Sequence, residues 1–162
     1  MHCCQMIDFL VIGGGIAGIS VAARLSGDGS CKVLEREAHL GYHTSGRSAA
    51  LYEENYGSPS TIALAKAGHA DWDNLLAGVL SPRGFMLLCL RGEETQFEAD
   101  RRHMDLTEIS MAEAQARVPI LDTQKVLRAA YSTTAQDIDT DMMLQRFAKL
   151  LRRNGGVIET HQ

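Results

Sequence analysis

The stretch IDFLVIGGGIAG, residues 7–18, decides the fold of this chain. Its apolar run enters a G-x-G-x-x-G turn, and small and apolar residues at helical spacing then continue to Ser26, which predicts a β-strand, a tight turn and an α-helix. Gly13 permits the turn, Gly15 lets a pyrophosphate approach the backbone, and Gly18 lets the helix pack closely on the strand. The helix N-terminus, with its free N–H groups, favours a bound phosphate.

A carboxylate follows at the spacing typical of a dinucleotide-binding unit. The short apolar run at residues 31–34 predicts a second parallel strand, and Glu35 ends it, twenty residues beyond Gly15. At this position a carboxylate can bind the hydroxyl groups of a ribose. The strand, turn, helix and acid together favour a dinucleotide-binding β-α-β unit over a simple glycine-rich loop.

Composition sets the broad class. The 162 residues, 45% of them hydrophobic and 22% charged, predict a globular protein with one sizeable core and a smaller second lobe. The net charge of −4 comes without a basic stripe, so nucleic acid is not an expected partner. Residues 6–25 are apolar, but they carry Asp8 and four glycines and lack a basic flank, so we expect neither a signal peptide nor a membrane span.

Cysteine and histidine spacing argues against disulfides and metal. The four cysteines form neither a C-x-x-C pair nor a zinc-binding pattern; they are Cys3, Cys4, Cys31 and Cys89. We therefore expect reduced thiols and a cytoplasmic location. His39 and His43 flank a loop without a carboxylate or cysteine at ligand spacing, so we expect solvated or capping histidines and no metal.

The middle of the chain carries further start signals. Ser58 followed by Pro59 predicts one helix that continues to about Leu76. The apolar run at residues 85–90 predicts a buried strand in a different sheet from the first two.

Two more elements follow. Ser110 and Glu113 form a capping-box pattern for a short helix that must end at Val118, because Val118 precedes a proline. Residues 126–131 favour a strand.

The last part of the chain predicts a return to the first sheet. Asp139 or Thr140 caps a helix that runs to Arg153, and glycines then end it. Residues 157–161 are the one late candidate for a third parallel strand beside the first two.

Three segments resemble the D-amino-acid oxidase superfamily of FAD-dependent oxidoreductases. They are VIGGGIAG at residues 11–18, VLERE at 33–37 and GYHTSGRSAA at 41–50. The closest likeness is to the D-arginine dehydrogenase type of D-amino-acid dehydrogenase, and H-T-S-G-R-S-A-A is the most specific of these motifs. Shorter likenesses at residues 56–57, 80–83 and 137–141 extend the resemblance along essentially the whole chain.

The resemblance implies an α/β protein with a Rossmann-like FAD/NAD(P)-binding β-α-β domain and a parallel sheet, interrupted by part of an α+β substrate domain. It assigns residues 1–80 to the FAD-binding unit and cofactor loop, 81–136 to a partial substrate-domain insertion, and 137–162 to the return helix and strand. Family members are more than twice as long, so we expect a truncated form that folds weakly or self-associates through open strand edges.

The resemblance also implies which residues contact FAD. They are Gly13, Gly15, Ile16, Ala17, Gly18, Glu35, Arg36, Thr44, Ser45, Arg47, Ser48 and Ala49. Arg36 and Glu37 match positions that commonly meet the adenine edge, although solvated charges are an equal alternative. Arg47 suits a charge-assisted contact with the cofactor, with a structural ion pair as its alternative.

The substrate side departs from the D-arginine type. Leu51 replaces a histidine, and Phe85 replaces an acid that meets a cationic side chain, which favours a neutral or apolar substrate side chain. Glu53 and its neighbour Glu54 either restore attraction for a cation or are solvated. Tyr56 matches a substrate-site tyrosine, with a hydrogen-bonded, partly buried tyrosine as the equal alternative.

The resemblance therefore implies an FAD-dependent enzyme that oxidises a D-amino acid to an imino acid and then a 2-oxo acid. Two alternatives stay open: a related flavin dehydrogenase for glycine, sarcosine or a 2-hydroxy acid, and a truncated FAD-binding fragment without turnover. The sequence carries no activated nucleophile, which hydride transfer to a flavin does not require.

Overall fold

A computed structural model describes residues 6–162, which form two compact units. Cys3 and Cys4 lie outside the described residues. The first unit holds the chain up to Ala50 with Asp71–Val79 and Ile138–Gln162, and the second holds Leu51–Ala70 with Leu80–Asp137. The predicted boundaries differ from this division, since they placed residues 51–70 with the first unit. The functional roles assigned to the domains stay predictions.

The elements alternate between helix and strand in the first unit and are mixed in the second. In chain order they are β1 (Phe9–Ile12), α1 (Ile16–Leu25), β2 (Cys31–Leu34), β3 (Leu51–Tyr52), α2 (Pro59–Ala67), α3 (His69–Asp73), β4 (Leu80–Pro82), β5 (Phe85–Leu90), α4 (Glu94–His103), β6 (Thr107–Ile109), α5 (Met111–Arg117), β7 (Val126–Ser132), β8 (Gln136–Ile138), α6 (Thr140–Arg153) and β9 (Val157–Glu159). A 3-10 turn covers Thr44–Arg47.

The first unit is a three-stranded parallel sheet in the order β1-β2-β9. The β-α-β unit and the late third strand are both confirmed. Helices α1 and α6 bury apolar residues against β2, where Cys31 and Val33 are inaccessible to solvent. Leu10 and Ile12 point the other way and are exposed, so the face of the sheet opposite the helices is uncovered at β1 in the described chain.

The second unit is built on an antiparallel sheet in the order β5-β7-β6. Helix α4 packs on it through Phe97, which joins Cys89 and Ala130 in a small buried cluster. Strand β5 thus lies in a different sheet from β1 and β2, as predicted. A second short sheet has the order β3-β8-β4.

Two predicted elements are corrected. The single helix expected from Ser58 to Leu76 is two, because Gly68 ends α2 and its N–H donates to the Leu64 carbonyl. No α2 residue is buried, so no packing holds a continuous helix across the glycine. Strand β5 is half-buried rather than buried, since Leu88 and Leu90 are exposed on one face.

Other element predictions are confirmed. Ser110 and Glu113 form the reciprocal capping box of α5, and α6 begins at an Asp139 cap, whose side chain accepts the Met142 N–H. Within residues 6–162, no helix is both long and apolar enough to cross a bilayer.

Candidate functional site

The turn after β1 needs two of its glycines for different reasons. Gly13 has φ +101°, a left-handed conformation that side chains disfavour, and its N–H donates to the Leu34 carbonyl at 2.7 Å. At Gly18, an added Cβ would collide with the Gly13 carbonyl oxygen. The fingerprint therefore fixes how closely α1 crosses the end of β1.

The N-terminus of α1 is open to an anion. Gly15 is the N-cap of α1 and has no side chain to cap it, and the Ile16 N–H donates to Ser45 Oγ at 3.0 Å. The Ala17 and Gly18 N–H groups have no acceptor within the described part of the chain. Free N–H groups at the start of a ten-residue helix suit the phosphates of a dinucleotide.

Glu35 lies at the carboxyl end of β2 and is buried, with 9% of its surface exposed. Its Oε1 accepts the Glu37 N–H at 2.8 Å and its Oε2 accepts the Gly14 N–H at 2.6 Å. The Glu37 bond, foremost, and the Gly14 bond hold the pKa of the Glu35 carboxyl below its usual range, against the effect of burial. Each carboxylate oxygen keeps a second lone pair, so an ionised Glu35 can still accept from a ribose hydroxyl.

Arg36, Glu37 and His43 form a cluster beside Glu35. Glu37 Oε1 lies 2.9 Å from Arg36 Nη2 and 2.8 Å from His43 Nε2. These two hydrogen bonds, the one from His43 first, lower the pKa of the Glu37 carboxyl. His43 and Glu37 thus pair with each other, a contact that the sequence did not predict; His39 is exposed.

The cofactor loop, residues 41–50, folds back over the turn after β1. The Gly41 N–H donates to the Gly14 carbonyl at 3.1 Å, and the Gly46 N–H donates to the Gly41 carbonyl at 2.7 Å. The Arg47 guanidinium lies 5.6 Å from the centre of the Tyr42 ring, and among the described residues it forms no ion pair. The ion-pair alternative for Arg47 is therefore not what this structure shows.

The remaining loop residues assigned to FAD lie at the surface. Thr44, Ser48 and Ala49 are exposed, and Ser48 Oγ accepts the Ala50 N–H at 3.0 Å. The structure brings Ser45 to the N-terminus of α1. The contacts of Thr44, Ser48 and Ala49 with FAD stay predictions.

Both glutamates of the substrate-side loop are engaged within the second unit. Glu53 is buried, and its Oε2 accepts from Ser132 Oγ at 3.1 Å and Thr134 Oγ1 at 3.3 Å. Glu54 Oε1 accepts from Tyr52 Oη at 2.8 Å and lies 2.6 Å from a ring nitrogen of His69. The solvated alternative is corrected for Glu53 alone, since the Glu54 side chain keeps 31% of its surface exposed.

The other substrate candidates have simpler surroundings. Phe85 packs against the buried cluster around Cys89, and Leu51 pairs with Asp137 in the short sheet. Tyr56 is 60% exposed, and its hydroxyl has no hydrogen-bond partner within residues 6–162, which disfavours the hydrogen-bonded, partly buried alternative. Cys31 and Cys89 are free, buried thiols, and the described residues hold no group of three metal-ligand side chains.

A parallel β-α-β unit with this turn, an open helix N-terminus and a carboxylate ending β2 defines a dinucleotide-binding α/β protein. The residues present fit the adenosine diphosphate part of such a cofactor, since the turn excludes a Cβ at Gly18 and leaves helix N–H groups free.

The chain belongs to the DAO family of FAD dependent oxidoreductases, whose family model matches residues 8–162. Its cofactor is accordingly FAD. A related sequence, an uncharacterised GMC-type oxidoreductase of Rhodococcus erythropolis, is 42% identical over 65 residues, which are 40% of this chain and 12% of that protein.

Solved structures share the fold. L-proline dehydrogenase from P. horikoshii matches with a TM-score of 0.79 and 20% identity over 97% of this chain and 44% of its own. L-α-glycerophosphate oxidase from Mycoplasma pneumoniae, solved with FAD bound, matches with a TM-score of 0.82 and 18% identity over 97% and 45%. Glycine oxidase from Geobacillus kaustophilus matches with a TM-score of 0.75 and 17% identity over 95% of this chain and 46% of its own. The chain therefore spans less than half the length of these structures.

Proposed function

We propose that this chain forms the FAD-binding unit and part of the substrate unit of an enzyme that oxidises D-amino acids with neutral side chains. The observation that carries the substrate class is the likeness of GYHTSGRSAA, residues 41–50, to D-amino-acid dehydrogenases. When bound, FAD accepts a hydride from the substrate α-carbon, and the resulting imino acid hydrolyses to a 2-oxo acid and ammonia. The 162-residue chain alone is expected to lack turnover.

Different residues of this chain would contact different parts of FAD. The N–H groups at the start of α1 bind phosphate oxygens, and Glu35 accepts from ribose hydroxyls. Ser45 and Arg47 would contact the phosphates. Arg36, whose Nη2 lies 2.9 Å from Glu37 Oε1, would contact the adenine edge.

The preference for a neutral side chain rests on Leu51 and Phe85, which stand where the D-arginine type carries a histidine and an acid. The Glu53 carboxylate is hydrogen-bonded by Ser132 and Thr134, and that of Glu54 by Tyr52 and His69, within the second unit. Leu51 adds no charge. D-Methionine or D-phenylalanine should therefore be better substrates than D-arginine.

The test is anaerobic bleaching of FAD absorbance by a panel of substrates. It uses the FAD-loaded 162-residue chain and, where the coding sequence continues in frame, the longer product. Neutral D-amino acids should bleach the longer product faster than D-arginine or L-amino acids, and the short chain should not be bleached. Faster bleaching by D-arginine would refute the side-chain preference, and no bleaching by any D-amino acid would refute the substrate class.

The runner-up is a flavin dehydrogenase for glycine, sarcosine or a 2-hydroxy acid. It is favoured by the fold shared with glycine oxidase and L-α-glycerophosphate oxidase. The same assay separates it, because glycine, sarcosine or a 2-hydroxy acid would then bleach the flavin and D-methionine would not.

A further inference from the structure

The backbone of Glu37, just after β2, is held by two hydrogen bonds. Its N–H donates to Glu35 Oε1 at 2.8 Å, and its carbonyl accepts the His161 N–H at 3.3 Å. The backbone on both sides of the Glu37 side chain is therefore tied to the parallel sheet and the chain that follows it.

His43 is held by this fixed carboxylate. Its Nε2 lies 2.8 Å from Glu37 Oε1, and because a carboxylate only accepts, the imidazole donates. The Tyr42 ring meets the His43 ring edge-on, with centroids 5.1 Å apart. Arg36 Nη2 lies 3.4 Å from His43 Nε2 and shares the same carboxylate oxygen. These are the aromatic and charged groups that face the imidazole.

His43 lies next to the turn that contacts α1. His43 immediately precedes the 3-10 turn Thr44–Arg47, and that turn carries Ser45. Ser45 Oγ accepts the Ile16 N–H at the start of α1. A fixed His43 therefore fixes where the turn begins, two residues before the hydroxyl that reaches the helix.

We propose that His43 is a positioning residue for the cofactor site. Its bond to Glu37 anchors the loop so that Ser45 meets the α1 N-terminus, and His43 thus acts through Ser45. The role in cofactor binding rests on the proposed placement of the FAD phosphates at this N-terminus.

The size of the effect follows from exposure. The His43 side chain is 55% exposed and that of Glu37 25% exposed, so the pair is screened by solvent. Such exposed pairs contribute modestly to stability. We therefore expect loss of the His43–Glu37 pair to change the rate of amide exchange at Ile16 or the affinity for FAD by about three- to fivefold.

The first experiment needs no cofactor. Amide hydrogen exchange at Ile16 is measured in the 162-residue chain for His43→Ala, for His43→Gln, which can still donate to Glu37, and for the control His69→Ala. The control removes another exposed histidine–glutamate pair, at 2.6 Å, in the second unit. Exchange at the Ile16 amide should be about three- to fivefold faster in His43→Ala than in the wild type. It should be unchanged in His43→Gln and in His69→Ala. Equal exchange in His43→Ala and His69→Ala would overturn the proposal.

The second experiment is a double-mutant cycle on FAD affinity, with His43→Ala, Ser45→Ala and both together. If His43 acts through Ser45, the double variant should bind FAD no more weakly than Ser45→Ala. Losses that simply multiply would contradict the coupling. A wild-type chain that binds no FAD would count against the phosphate site alone, since the exchange measurement still decides what His43 does.

Discussion

Gly18 lies where α1 passes the carbonyl oxygen of Gly13. A Cβ at this position would collide with that backbone atom, which cannot turn away as a flexible side chain could. We expect Gly18→Ala to lower the free energy of unfolding by about 1–3 kcal/mol, as overpacking does. Urea denaturation followed by circular dichroism measures this.

Gly27→Ala is the matched control for Gly18→Ala. An added Cβ there stands 3.5 Å from the Arg24 carbonyl oxygen, an ordinary contact, so stability should change little. Equal unfolding midpoints for the two variants would show that the close approach at Gly18 is not required.

At the residue scale, spacing predicted what the backbone dictates. The glycine pattern and the position of Glu35 follow from the strand, turn and helix. The pairing of His43 with Glu37 was not predicted, because it depends on how a loop without hydrophobic periodicity folds back. The burial of Glu53 was missed for a similar reason, since Ser132 lies 79 residues further along the chain.

Helix α6 starts at a cap that can be tested. The Asp139 side chain accepts the Met142 N–H at 2.8 Å, and α6 contributes buried residues such as Phe147 to the core of the first unit. Asp139→Ala should cost about 1 kcal/mol in the free energy of unfolding, and Asp139→Ser, which keeps an acceptor, should cost less. Thermal or urea unfolding distinguishes them, and identical stability of both variants would argue against the cap.

Within the second unit, the Glu98 carboxylate of α4 accepts from Arg101 and Arg102 on the same helix and from Arg128 on β7. These bonds, Arg101 first, lower the pKa of Glu98 from 4.5 to about 2. The stability from Glu98 is therefore fully present above pH 4.5 and is lost as the pH falls through about 2.

Glu98→Gln should flatten this acid response. The urea midpoint of the wild type should fall more than that of Glu98→Gln between pH 5 and pH 3, because at pH 3 this carboxyl is already mostly protonated in the unfolded chain (ordinary pKa about 4.5) while it stays ionised in the folded chain. Asp100→Asn on the same helix is the control and should track the wild type. Parallel curves for wild type and Glu98→Gln would contradict the prediction.

At the element scale, local signals sufficed where an element has its own caps. The capping box of α5 and the cap of α6 each join residues only three positions apart in the sequence. The break between α2 and α3 was missed, since an isolated glycine ends a helix only where packing does not hold the helix together. The exposure of Leu88 and Leu90 depends on what covers β5, which its apolar sequence does not encode.

At the scale of the whole molecule, the uncovered apolar face of β1 offers a surface for self-association. Leu10 is 58% exposed on a strand at the edge of the described sheet. Leu10→Lys should lower self-association in sedimentation velocity, because a charge on this face opposes burial against a second copy. Leu64→Lys on α2 is the control, at 74% exposure outside any sheet, and should leave association unchanged. Equal association in both variants would exclude this face.

The most direct test is an FAD titration of the purified 162-residue chain, followed by flavin fluorescence with ADP as competitor. We predict saturable one-to-one binding that ADP displaces and that Gly15→Val and Glu35→Ala weaken. Glu159→Ala, which removes the carboxylate at the end of the neighbouring strand β9, should leave binding unchanged. A folded chain that binds no FAD, or binds it equally well in all three variants, would contradict a cofactor site built from the β1 turn, α1 and Glu35.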